Sequence, residues 1–277
     1  MKADCHMHMV LDGHYWRDAI ARHENGPDMS YIRNILQRYR DKGFAYLRDC
    51  GDRWGIGAAA RSIAAEYGIT YRTPLAPLCK AGHYGGFIGL QYENIKEYAA
   101  LVVKQRQQGA DFIKLMISGL MDFDHCGVLT EPGISPELIS QLIHIAHEEG
   151  MAVSAHANGA RTVEAAAAAG LDSVEHGAYL DADALAAMEE AGTIWVPTLS
   201  AVGNLLGKGR FPDREVASIL ESALENLSRY RGFVAPGTDA GAWAVPHGSE
   251  TELPLLKKAG IDEARLKEGA ALIMKKF

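Results

Sequence analysis

Short β-rich runs alternate with helical runs from one end of this 277-residue chain to the other, and that alternation limits the fold more than any other feature. Strands are predicted at 3–9, 44–48, 70–76, 112–117, 152–156, 173–176, 194–198 and 233–238. Helical periodicity marks the segments between them, such as YIRNILQRYRDKG, NIKEYAALVVKQRQQG, SPELISQLIHIAHEEG and DADALAAMEEAG. Gly43, Gly109, Gly150 and Gly192 sit where helix C-termini need a residue tolerant of left-handed backbone. Ser135-Pro136-Glu137 reads as a helix start, with Ser as N-cap and Pro at the first helical position. Eight strand–helix units of roughly 35 residues each suit a closed barrel. A doubly wound open sheet alternates in the same way, so the pattern alone leaves both open.

The positions of the chemically competent residues decide between them. His6 and His8, in DCHMH, lie two apart on the first strand, so both side chains face one way and can share a metal ion. Lys114 ends the fourth strand in DFIKLMISG; beside histidines a cationic amine would repel a metal, but carbamylation by CO2 turns it into a bridging carboxylate. His156 in VSAHANG and His176 in SVEHGAYL end the fifth and sixth strands. Asp239 in APGTDAG ends the eighth, where a carboxylate can ligate a metal and take a proton from bound water. Each has a plainer reading taken singly: hydrogen-bonded strand-end histidines, a salt-bridged lysine, a turn aspartate. Together they put metal-competent residues at the C-terminal ends of five strands, the face on which (β/α)8 barrels carry their active sites. The expectation is therefore an α/β chain forming one TIM-type (β/α)8 barrel, residues 1–277 as a single domain.

Taken together, HxH on strand one, lysine on strand four, histidines on strands five and six and aspartate on strand eight resemble the pattern of the amidohydrolase superfamily. The stretch from FIKLMISG through AHANGARTVEAAAAAGLDSVEHG to WVPTL, with FAYLRDCG earlier, is similar to its imidazolonepropionase and Xaa-Pro dipeptidase-like branch. The resemblance implies a metal-dependent hydrolase that cleaves an amide bond of a dipeptide, N-acyl amino acid or cyclic amide. It implies that His6, His8 and Asp239 hold the more buried of two divalent ions, most simply zinc, and His156 and His176 the more exposed one. Carbamylated Lys114 and a hydroxide would bridge them, and Asp239 would carry the proton to the leaving nitrogen. Most relatives also carry a small β-sandwich built from both chain ends. Here the first barrel strand is predicted from residue 3 and only a short tail follows Asp239, so a barrel without that sandwich is expected. His83 and Tyr84 after the third strand and Tyr179 after the sixth are candidate substrate contacts, and His247 is a weaker one. His144 and His147 read as ordinary helix residues, and the alanines at 165–169 as a close helix contact. Alternatives within the superfamily are a mononuclear deaminase and a lactonase; outside it, a non-catalytic metal-binding barrel.

Bulk composition excludes other classes. Net charge is −7 with no basic run, which argues against nucleic acid and anionic membrane as partners. No stretch approaches the length of a membrane span. Cys5, Cys50, Cys79 and Cys126 are widely spaced without CxxC pairing, and MKADCHMHMV lacks the apolar run of a secretion signal. A cytoplasmic protein acting on a small molecule is expected, with homo-oligomerisation left open.

Overall fold

A computed structural model describes residues 2–277. In chain order the elements are β1 (Lys2–Met7), α1 (Trp16–Ala21), α2 (Met29–Asp41), β2 (Phe44–Asp49), α3 (Ile56–Ala64) with a 3-10 turn at Ala65–Tyr67, β3 (Thr70–Arg72), β4 (Leu78–Lys80), β5 (Leu90–Tyr92), α4 (Ile95–Gln107) and β6 (Ile113–Met116). There follow α5 (Pro136–Glu148), β7 (Val153–Ala157), α6 (Ala160–Ala168), β8 (Ser173–His176), α7 (Ala182–Ala191), β9 (Ile194–Val196), α8 (Ser200–Gly203), α9 (Asp213–Arg229), α10 (Glu252–Lys258) and α11 (Glu263–Lys276). The fold is mixed α/β with two sheets, ordered β1-β2-β3 and β5-β4-β6-β7-β8-β9. Every strand pairing within them is parallel.

Two expected strands take a different form, and proline explains both. The run at 70–76 stops at Arg72, because Pro74 and Pro77 have no N–H to give a ladder and Leu75 turns into left-handed backbone at φ +66°. The chain resumes as β4, which pairs with β6 and with β5, a strand the sequence reading does not anticipate. The Asp111 carboxylate fills the break by accepting from Thr73 N at 2.8 Å. At 233–238 there is only an isolated bridge between Trp195 and Val234, since Pro236 cannot donate. Backbone hydrogen bonds nonetheless tie this segment to both sheets. Ala235 N donates to Trp195 O at 2.9 Å, Cys5 N to Pro236 O at 2.8 Å, and Asp239 N to His6 O at 2.8 Å.

The helices cover the sheets with apolar stripes. In α2, Asp28 caps the first turn by accepting from Tyr31 N at 3.0 Å, and Ile32, Ile35, Leu36 and Tyr39 are buried at helical spacing. Each such aliphatic side chain contributes roughly 1.5–3 kcal/mol on burial. α5 starts at Ser135-Pro136 as expected and buries Ile139, Leu142, Ile143 and Ala146. The four helix-ending glycines, 43, 109, 150 and 192, all have positive φ. Beneath the sheets, Arg48 is enclosed by Phe112 and Phe277, its guanidinium carbon 4.5 Å from the Phe277 ring centre. Among the described residues no helix is long and apolar enough to cross a membrane.

Candidate metal centre

β1 brings His6 and His8 to the same side, their ring centres 5.3 Å apart. The His6 ring lies 4.9 Å from that of His176, which lies 4.6 Å from that of His156. Asp239 Oδ1 stands 3.1 Å from His8 Nε2 and 3.4 Å from His6 Nε2. Lys114, 1% exposed, completes the group from β6. All six side chains line one cavity of about 270 Å³. The structure thus brings together His6, His8, Lys114, His156, His176 and Asp239, drawn from both sheets and from the segment between them.

Surrounding groups fix which nitrogen each imidazole offers. His6 Nδ1 meets Glu175 Oε2 at 2.6 Å, turning Nε2 inward. His176 Nδ1 meets Thr198 Oγ1 at 2.6 Å, which again leaves Nε2 for the cavity. His156 Nε2 donates to the Gly119 carbonyl at 3.0 Å, so its free lone pair is on Nδ1. Asp4 accepts from Thr238 N at 2.9 Å and Thr238 Oγ1 at 2.6 Å, anchoring the backbone that presents Asp239. His176, Thr198 and Asp239 all have positive φ, at +69°, +49° and +58°. Such backbone is costly for residues with a Cβ, and it clusters where side chains must be aimed.

Two of the imidazoles are held in the form a cation requires, while His6, against its burial, is raised well above the ordinary imidazole range by Cys50 and Asp239. Burial pushes His156 down to about 3 and, with His156 beside it, holds His176 well below the ordinary imidazole range. Both rings are therefore neutral and carry a lone pair. Burial would raise Asp239, but the His6 and His8 imidazoles beside it hold it well below the usual carboxylate range. His6 Nε2, His8 Nδ1 and Lys114 Nζ are buried without a hydrogen-bond partner. Orphaned polar atoms at this depth cost several kcal/mol unless something else satisfies them; a ligated ion would satisfy an imidazole nitrogen, and Lys114 only as its carbamate. Donor atoms of His6, His176 and Asp239 lie within 4.8 Å of one another, as do those of His6, His8 and Cys50.

Other expected contacts separate on inspection. Tyr84 lines the cavity with its ring 4.8 Å from that of His156. His83, Tyr179 and His247 do not line it: His83 sits 3.8 Å from Glu131, the buried Tyr179 hydroxyl finds no partner, and His247 packs against Tyr39 and the Leu11 carbonyl. The sequence reading passed over Glu175, Thr198 and Cys50. FAYLRDCG signalled Cys50 only as the end of a strand. It also passed over the cavity walls, where Trp16, Phe87, Phe123, Arg210, Phe211 and Trp243 come from loops and short helical turns. His6, His8, His156, His176 and Asp239 stand near or just beyond strand ends, whereas Lys114, expected to end its strand, is the second residue of β6; the walls stand on the connections.

Residues 51–257 match the family model described as "Amidohydrolase family", a span that includes Lys114, His156, His176 and Asp239. Ochratoxinase of Aspergillus niger is 27% identical over 302 aligned residues, 92% of this chain and 62% of that protein. An uncharacterised protein of Mycobacterium tuberculosis is 28% identical over 240 residues, 80% of this chain and 61% of its own length. The chain therefore spans about three fifths of the length of these curated relatives. Among solved structures, a Xaa-Pro dipeptidase with bound methionine superposes with a TM-score of 0.81 at 23% identity, over 99% of this chain and 75% of that one. The A. niger ochratoxinase structure gives 0.75 at 23%, over 94% and 67%. At such identities the superpositions speak for the fold; the family match, covering well over half of the chain, carries the assignment, and the chain belongs to the amidohydrolase family.

Proposed function

We propose that this chain is a metal-dependent hydrolase of amide bonds in small molecules. One observation carries the reading: six side chains of ligand type meet in one cavity, and three of their buried polar atoms have no partner in the protein. In this reading the two sheets, joined through residues 233–240, form a single (β/α)8 barrel, with 1–277 as one domain acting in the cytoplasm. His6, His8 and Asp239 would hold one divalent ion, His156 and His176 a second, with Lys114 between them as its CO2 carbamate. Zinc suits so histidine-rich a set. Bound there, the ions would acidify a water towards neutrality and polarise the scissile carbonyl. Asp239 takes the proton of the attacking water and passes it to the leaving nitrogen, which an amide needs far more than an ester does. Glu175 and Thr198 hold His6 and His176 in register through this step.

The test compares wild type with Asp239→Asn, both confirmed metal-loaded, on an amide and its matching ester. Turnover of the amide should fall by about 10²–10⁴-fold, the range of general acid–base catalysis, and that of the ester by less. Equal losses would remove the proton-transfer role, and a wild type inert on every amide would overturn the reading. A mononuclear deaminase is favoured by one feature, the compact His6–His176–Asp239 triad, which could serve a single ion alone. Two metals per chain by elemental analysis, lost together in Lys114→Ala and partly restored by small carboxylic acids, would exclude it.

A further inference from the structure

Beyond the candidate ligands the cavity is walled by aromatic and aliphatic side chains, and it carries one fixed charge. Apart from Lys114 and Asp239, Arg210 is the single Lys, Arg, Asp or Glu on the wall among the described residues. Two rings hold it: its guanidinium carbon stands 4.6 Å from the Trp243 ring centre and 5.2 Å from that of Phe211. Phe211 is itself braced by Phe123 at 5.1 Å. No carboxylate oxygen among the described residues lies within 4.0 Å of this guanidinium, although the chain has 35 acidic residues against 28 basic ones.

Arg210 is solvent-exposed, and a guanidinium resting against aromatic rings keeps its N–H edge for recognition. That edge matches a carboxylate in a two-point hydrogen bond. The apolar wall beside it, including Met121 and Leu205, accepts a large hydrocarbon or aromatic group. We infer that Arg210, seated on Phe211 and Trp243, sets specificity by binding a free carboxylate of the substrate while the aromatic wall takes an apolar side chain. Resting on the amide-hydrolase reading above, this selects N-acyl amino acids and dipeptides with large apolar side chains, and disfavours uncharged cyclic amides and cationic substrates.

The experiment uses matched pairs on the metal-loaded protein: N-acetyl-phenylalanine and an apolar dipeptide, each as the free acid and as its C-terminal carboxamide. Because both members of a pair carry the same scissile amide, the acid-over-carboxamide ratio isolates recognition of the carboxylate. Wild type should prefer the acids by tenfold or more in kcat/KM. Arg210→Met, which keeps the apolar stem, should bring that ratio towards one through KM, and Arg210→Lys should keep part of it. Calorimetric titration with reduced-amide analogues of the same pairs reads the preference without turnover. Equal binding of acid and carboxamide by wild type, or a ratio unmoved in Arg210→Met, would overturn the proposal. A wild type that binds the acids tenfold tighter through Arg210 yet cleaves no amide would overturn the hydrolase reading and leave the carboxylate site standing.

Discussion

Glu175 is fully buried and divides its two oxygens between the candidate centre and the interior. Oε2 meets His6 Nδ1 at 2.6 Å, while Oε1 accepts from Arg48 Nη2, Ser154 Oγ and Ser173 Oγ, each at 2.7 Å. Burial raises its proton affinity, but Arg48, Lys114 and His6 together outweigh that and hold the carboxyl well below its usual range. Removing the charge while keeping the shape, in Glu175→Gln, frees the His6 ring and strands the Arg48 cation. Metal affinity should fall about 10–100-fold, as for other groups that orient a ligand, read by chelator competition with elemental analysis. Stability should fall by about 3–5 kcal/mol in urea unfolding, because one partner of a buried pair is left alone. Adding Arg48→Met should recover much of the stability and none of the metal affinity; recovery of both would show that Glu175 does not orient His6. Side-chain alternation explains why this residue was hard to read from SVEHG. A regular strand would send Glu175 and His176 to opposite faces, but His176 adopts left-handed backbone, and both reach His6.

The segment after Asp239 shows what holds a loop in place. His247 Nε2 donates to the Leu11 carbonyl at 2.8 Å, and its ring stands edge-on to Tyr39 with centres 5.9 Å apart. This ties the last connection to the one after β1. Burial pushes His247 down to about 4, so the folded protein keeps it neutral. In the unfolded chain it binds a proton below roughly pH 6.5. Between these values the folded state binds fewer protons, so stability drops as pH falls through 6.5 and the loss levels off below about 4. The effect amounts to roughly 3 kcal/mol at most. His247→Gln, which can still donate to Leu11, should flatten that part of the acid limb when unfolding is compared at pH 7 and pH 5. An unchanged limb would mean that other buried histidines account for it. At this scale amphipathic helices such as α2 and α5 were readily legible, because apolar spacing and caps are local signals. The break between β3 and β4 was not, because the effect of Pro74 and Pro77 depends on which neighbours the ladder would have joined.

Across the whole molecule, the candidate centre draws on both parallel sheets and on the residues that link them. An ion bound there favours the folded state over the unfolded one by mass action. Chelation should therefore lower Tm for the entire cooperative transition, and re-addition of metal should restore it. Lys114→Met, with the orphaned amine removed, should lose less on chelation than wild type does; an identical Tm with and without metal would place no ion at these residues. The ligand-type residues were visible in the sequence because most lie near the end of a β-rich run and His6 and His8 share a period of two, although Lys114 lies inside β6. The cavity wall was not, since Trp16, Phe87, Phe123, Phe211 and Trp243 follow no period and meet only through the fold. That division of labour between strands and connecting loops bears on divergence. On the proposed reading, point changes at 118–134, 204–212 and 241–247 would alter what the cavity accepts while leaving the candidate ligands untouched. On that reading β6, β7 and β8 would hold the chemistry, and the compound would be written in the loops.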